Sequence, residues 1–227
     1  MISTVFFDFD GTVADSAPDL AHAANLQRQY RDLPPLPYEQ LRVVASQGAR
    51  GLLRVALNLT PEDPDFEPTR VQFIKDYQGC MTRHTTLFPG IEQLLEQIET
   101  AGLRWGIVTN KAEALSFPMF DYLGLTERSA ANVCGDTTAY SKPHPGPLLH
   151  AAELAAATPD SCIYVGDDER DIIAGKAAGM PTIAAAYGYC TDAAEVQSWN
   201  ADQIALQPQD IWNAILKIKE KVKIGKS

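Results

Sequence analysis

Five short apolar, β-branched runs recur along the chain, at Thr4 to Phe7, Trp105 to Val108, Ala131 to Cys134, Cys162 to Val165 and Thr182 to Ala186. Stretches of helical periodicity separate them, and that alternation predicts βαβ units on a parallel sheet. One interval is far longer than the rest. Residues 14 to about 86 have helical periodicity and no convincing strand, so they read as a helical insertion. Helices are expected there at Ala17 to Tyr30, ended by Leu33-Pro34-Pro35-Leu36-Pro37, and at Tyr38 to Ser46, Arg50 to Leu57 and Phe66 to Arg83. After Leu87-Phe88-Pro89-Gly90 the alternation resumes, with helices predicted at Ile91 to Thr100, Glu113 to Tyr122, Pro145 to Ala157, Asp171 to Ala178 and Pro208 to Val222.

A length of 227 residues suits one core domain carrying a smaller inserted one. The 29 acidic residues outnumber the 19 basic ones, and the formal charge of -10 argues against a broad electrostatic grip on nucleic acid or an anionic membrane. The lysine-rich stretch from Lys217 to Lys223 reads as a solvated helix end whose charges complement the macrodipole. Cys80, Cys134, Cys162 and Cys190 form no C-x-x-C pair, so a structural zinc site has no support and small core residues are the expectation. The start lacks a basic, apolar leader, and no run approaches the ~20 apolar residues of a membrane span. A reduced, cytoplasmic enzyme or binding protein is the expectation. Nothing in the pattern sets an oligomeric state.

The chemistry begins at Phe6-Phe7-Asp8-Phe9-Asp10-Gly11-Thr12, where an apolar strand delivers carboxylates at i and i+2 and then a glycine that lets the chain turn. Such a pair can project from a strand end into the crevice where open parallel sheets bind ligands. By itself the pair also fits a turn acid and a loop acid. Three segments at the ends of later strands favour a site. Ile107-Val108-Thr109-Asn110-Lys111 offers a hydroxyl and an amide suited to phosphate oxygens. Ser141-Lys142-Pro143-His144-Pro145 places a lysine in a stiff loop, where its charge can pair with a carboxylate and a phosphate. Tyr164-Val165-Gly166-Asp167-Asp168-Glu169-Arg170-Asp171 ends a strand in an acidic cluster that needs a cation or costs repulsion.

In this order the four segments resemble the haloacid dehalogenase superfamily of aspartate-nucleophile phosphohydrolases, over the whole chain. The insertion directly after the first segment looks like the small helical cap of the phosphoglycolate phosphatase-like branch. The resemblance implies an α/β fold: a Rossmann-like parallel-sheet core, residues 1–14 and 87–227, with an α-helical cap, residues 15–86. It also implies a Mg²⁺-dependent phosphoric monoester hydrolase acting on a small-molecule phosphate ester. Asp8 would be the nucleophile and Asp10 the general acid and base, a role that needs a carboxyl able to exchange its proton near neutral pH. Asp8, the main-chain oxygen of Asp10 and Asp167 would hold the metal, and Asp168 and Asp171 would lie around it or, for Asp171, serve a helix N-terminus. Thr109, the amide of Asn110 and Lys142 would meet the phosphoryl oxygens.

The substrate beyond its phosphate must be read elsewhere. Ser46-Gln47-Gly48-Ala49-Arg50-Gly51 lies between predicted insertion helices, and Arg50 offers a fork of donors to an anionic leaving group; a plain helix-helix turn with an exposed arginine fits equally well. Within the branch the chain looks particularly like the N-acetylmuramic acid 6-phosphate phosphatases of cell-wall recycling. That substrate and 2-phosphoglycolate both set a carboxylate beside a phosphomonoester, so residue chemistry does not separate them. A sugar phosphomutase uses similar groups. A phospho-acceptor signalling domain also combines acids, a hydroxyl residue and a lysine, but would place its acceptor mid-domain. Hinges for a closing cap are expected near Asp15 to Pro18 and Thr85 to Gly90.

Overall fold

A computed structural model describes residues 1–190 and 193–224. In chain order the elements open with β1 (Thr4–Phe7), β2 (Ala14–Asp15), α1 (Ala17–Gln29), α2 (Tyr38–Arg42), α3 (Gly48–Leu57) and α4 (Phe66–Gln78). Next come β3 (Thr86–Leu87), α5 (Ile91–Thr100), β4 (Arg104–Val108), α6 (Glu113–Tyr122), β5 (Asn132–Val133) and α7 (Gly146–Leu154). The chain continues with β6 (Cys162–Gly166), α8 (Glu169–Ala177), β7 (Thr182–Ala185), α9 (Ala193–Ser198), β8 (Gln203–Ala205) and α10 (Pro208–Ile224). It divides into two compact units, Met1–Val13 with Leu87–Ser227, and Ala14–Thr86.

The larger unit is built on a six-stranded sheet in the order β5-β4-β1-β6-β7-β8, every neighbouring pair parallel. β1, β6 and β7 are buried at every position, because a parallel sheet is covered on both faces and its strands read as continuous apolar runs. Each Val or Ile so enclosed contributes about 1.5–3 kcal/mol of apolar transfer. One layer packs Phe6, Val108, Val133 and Tyr164 against Leu148 and Ala151 of α7 and Ala174 of α8. Phe7 pairs in register with Ile107 on one side and Val165 on the other. The C-terminal ends of β1, β4 and β6 therefore open side by side.

The smaller unit is helical. α1 packs on α2, α3 and α4. Asn25 of α1 holds the proline-rich break that follows: its Nδ2 donates to the Leu36 oxygen at 3.1 Å and its Oδ1 accepts from the Leu36 N–H at 2.9 Å. Asp19, fully buried in α1, accepts from the N–H groups of His84 and Thr85 and from Thr85 Oγ1, so both ends of the unit's chain meet on one carboxylate.

The structure departs from the expected element bounds at several points. α2 stops at Arg42 and a 3₁₀ turn, Ala45–Gln47, follows; Gly48, at φ +60°, closes that turn and α3 starts there. The Gly48 to Gly51 stretch is thus the first turn of a helix instead of a loop. α4 ends at Gln78, five residues before Arg83, where Gly79 serves as its cap. Two-residue strands β2 and β3 pair where the chain leaves and re-enters the larger unit, although residues 14 to 86 read as strand-free. β8 and α9 had no strong periodic signal. In α10, Lys217 and Lys221 are exposed, and the Lys223 side chain lies outside the described residues.

Candidate active site

Alternation along β1 and the residues that follow explains the acid-apolar-acid run. Phe9 is buried edge to face with Phe120 of α6 at 4.9 Å, while the acids on either side meet lysines, Asp8 Oδ1 lying 2.9 Å from Lys142 Nζ and Asp10 Oδ1 2.9 Å from Lys111 Nζ. The Asp8 N–H donates to the Val165 oxygen at 2.8 Å, which ties the end of β1 to β6. Gly11 takes φ +87°, and a Cβ there would stand 2.2 Å from Asp167 Oδ2. Only glycine allows this turn and this approach together.

Lys142 is buried at the end of its loop, with its ammonium at the centre of the site. Nζ donates to Tyr164 OH and to Asp171 Oδ1, each at 2.7 Å, and lies 2.9 Å from Asp8 Oδ1. The last approach lacks hydrogen-bond geometry, so Asp8 Oδ1 is a buried oxygen with no hydrogen-bond partner among the described residues. Burial works to lower the Lys142 pKa, but the Asp171 and Asp8 carboxylates outweigh it and hold the ammonium above its ordinary value. For Asp171, burial pushes the carboxyl up, with Lys142 pulling the other way and Asp8 adding to the rise.

Asn110 holds the lysine loop by its main chain. Its Nδ2 donates to the Lys142 oxygen and its Oδ1 accepts from the Lys142 N–H, both at 2.9 Å. That gives its side chain a structural use, holding the loop that carries Lys142. Thr109 is buried directly after β4, and its Oγ1 accepts from the Lys111 N–H at 3.2 Å.

The acidic cluster divides by role. Asp167 accepts from Thr12 Oγ1 at 3.2 Å and from the Tyr189 N–H at 2.9 Å. Asp168 caps α8: its Oδ1 accepts from the N–H and the Nε of Arg170, and its Oδ2 from the same guanidinium. Those bonds hold its carboxyl below the usual range although burial pushes it up. Asp171 completes the capping box by accepting from the Asp168 N–H at 3.1 Å, while its other oxygen takes Lys142. It both serves the helix N-terminus and orients the lysine. Gly166 makes room for it, since a Cβ there would meet Asp171 Cγ at 2.3 Å.

Carboxylate oxygens of Asp8, Asp167 and Asp171 lie within 4.8 Å of one another. Each oxygen of Asp167 and of Asp171 takes a donor, whereas Asp8 Oδ1 takes none, so Asp8 is the member of the trio set apart by its hydrogen bonding. Buried, hard oxygen donors of this kind fit a divalent cation.

Some members of the site carry no sequence signal. Lys111 closes the segment Ile107 to Lys111, where nothing in its type or spacing points to a partner; its ammonium bonds Asp10 Oδ1 at 2.9 Å and sits 5.9 Å from the Phe9 ring centroid. Gly188 and Tyr189 reach Asp167 from a loop after β7, and Tyr187 donates to the Thr12 oxygen at 2.7 Å. Their spacing to any acid is visible only after folding. Arg50 stands in the first turn of α3, exposed, within the helical unit.

The chain is similar to known proteins over most of its length. Residues 5–185 match the family model of the haloacid dehalogenase-like hydrolases. A phosphoglycolate phosphatase of Xanthomonas campestris pv. campestris is 43% identical over 208 residues, covering 92% of this chain and 94% of the relative. An N-acetylmuramic acid 6-phosphate phosphatase of Pseudomonas aeruginosa is 39% identical over 210 residues, covering 92% and 93%. Among solved structures, a predicted phosphoglycolate phosphatase from Haemophilus somnus 129pt has the same fold, with a TM-score of 0.82 at 24% identity, over 94% of this chain and 98% of that one.

Proposed function

Because the chain belongs to the haloacid dehalogenase-like hydrolase family, we propose that it is a Mg²⁺-dependent phosphomonoesterase working through an aspartyl-phosphate. Its substrate is a small phosphate ester that also bears a carboxylate, 2-phosphoglycolate or N-acetylmuramic acid 6-phosphate, the compounds named for its relatives. The observation that carries this reading is Asp8 Oδ1, buried without a hydrogen bond beside a buried ammonium. Such an oxygen is desolvated and oriented by the ammonium beside it, as an attacking carboxylate must be.

In the first half of the reaction an Asp8 oxygen attacks phosphorus as the ester oxygen leaves, taking its proton from Asp10. In the second, Asp10 removes a proton from water, and the resulting hydroxide displaces phosphate from Asp8. Lys111 fixes where the Asp10 carboxyl points. Thr109, the main-chain amide of Asn110 and Lys142 balance the charge on the phosphoryl oxygens. Asp8, Asp167 and the main-chain oxygen of Asp10 would hold Mg²⁺, which supplies further neutralisation of that charge when bound. Arg50 is assigned to the substrate carboxylate.

Phosphate release from both esters, measured with Mg²⁺ and with excess chelator, tests the reading. Turnover of at least one ester is expected, lost on chelation and reduced at least about 10³-fold in Asp8→Asn. Arg50→Ala is expected to raise KM for the carboxylated ester and leave that for p-nitrophenyl phosphate unchanged. Chelator-resistant turnover, or an Asp8→Asn protein as active as its parent, rules the mechanism out.

A further inference from the structure

Tyr164 lies in the middle of β6 with its ring enclosed in the core, three residues before Asp167, and the reaction described above gives it no part. Its hydroxyl donates to the Val108 oxygen at 2.8 Å, accepts from Lys142 Nζ at 2.7 Å and lies 3.3 Å from Asp171 Oδ1. A phenol has one proton to give, and the Val108 oxygen, at the shorter distance, takes it. A lone pair is thereby turned toward Lys142. The phenol itself stays neutral, because burial and then the Asp171 charge hold it well above its ordinary pKa.

Lys142 Nζ makes two hydrogen bonds of good geometry, one to Tyr164 and one to Asp171, and these decide where its remaining N–H and its charge stand against Asp8. A four-carbon stem does not fix an ammonium by itself, whereas an enclosed aromatic ring is rigid. The same hydroxyl grips the residue before Thr109, so the phosphate-facing end of β4 and the lysine share one anchor.

We propose that Tyr164 is a positioning residue for the hydrolysis, its hydroxyl setting the Lys142 ammonium against the nucleophile Asp8. This rests on the reading of Asp8 as nucleophile and Lys142 as its cation.

Tyr164→Phe keeps the ring and removes the hydroxyl. With p-nitrophenyl phosphate and Mg²⁺ its kcat is expected to fall on the order of 10- to 100-fold, the loss a misplaced reacting group causes, while KM changes by less than about twofold. In a Lys142→Met background the same substitution is expected to have no further effect, because the hydroxyl acts through the lysine. An equal loss in both backgrounds marks a merely structural hydroxyl and overturns the proposal, as does a parental kcat in Tyr164→Phe. A crystal structure of Tyr164→Phe reads the idea without turnover. Displacement of Lys142 Nζ from Asp8 supports the proposal, and an unmoved Nζ refutes it. If the parental protein releases phosphate from no ester, the reading of Asp8 and Lys142 falls, and that crystal structure still decides what Tyr164 holds in place.

Discussion

Asp167 is held by contacts on all sides, and two of its neighbours are glycines for a reason that geometry supplies. A Cβ on Gly188 would stand 2.3 Å from Asp167 Cβ and 2.4 Å from the Gly11 oxygen. Both contacts are far inside van der Waals range, and one of the atoms is main chain, so neither can swing aside. Gly188→Ala must therefore shift Asp167 or the Gly11 turn. We expect its Mg²⁺ affinity, measured by titration calorimetry, to fall about 10- to 100-fold, the usual result of disturbing groups that orient a metal ligand. Parental affinity in Gly188→Ala removes this account of the glycine. Lys142 shows the same principle with charge: three oxygens surround it, two of them from carboxylates, and the pair of acids keeps the buried cation protonated.

Individual elements are tied down at their ends, and one carboxylate does this for the helical unit. Asp19, in the first turn of α1, accepts hydrogen bonds from His84 and Thr85 near the unit's last residues. Asp19→Ala leaves the buried Thr85 hydroxyl and N–H without that acceptor, at a cost of about 3 kcal/mol. The expected outcome is faster hydrogen exchange at the Thr85 amide and a lower urea midpoint; identical exchange in parent and variant counts against it. α8 is started by a different device, the reciprocal Asp168 and Asp171 capping box, which places Asp171 within reach of Lys142. A helix N-terminus and a buried ion pair thus share one residue. In the sequence these two uses look alike, since an acid three positions after an N-cap serves either.

Across the molecule, burial holds three of the thiols above their ordinary pKa. Cys80, Cys134 and Cys162 are pushed up from 9.0 to about 11, with desolvation the largest cause in each. Between pH 9 and 11 the unfolded chain has lost thiol protons that the folded chain retains, so stability falls as pH rises through that window. A denaturation midpoint that is constant from pH 8.5 to 10.5 contradicts this, as does iodoacetamide labelling of these three cysteines in the folded protein at pH 8.5. The sequence by itself determined the parallel α/β core, the helical insertion and the strand ends that carry acids, threonine and lysine, because periodicity and strand-end placement are local properties. It also located Asp8, Asp10, Asp167 and Lys142 as one candidate constellation, since the acids close short apolar runs or open the loops beyond them and the lysine stands in a proline-stiffened loop just before a helix. Only the tertiary structure decided which acid faces which partner: Asp168 turned to Arg170, Asp171 to Lys142 and Asp10 to Lys111. It alone brought Tyr164, Gly188 and Tyr189 to the site. Many of their contacts join residues far apart along the chain, by 22 positions for Lys142 to Tyr164 and 177 for Gly11 to Gly188, and no local pattern encodes which strands will lie side by side.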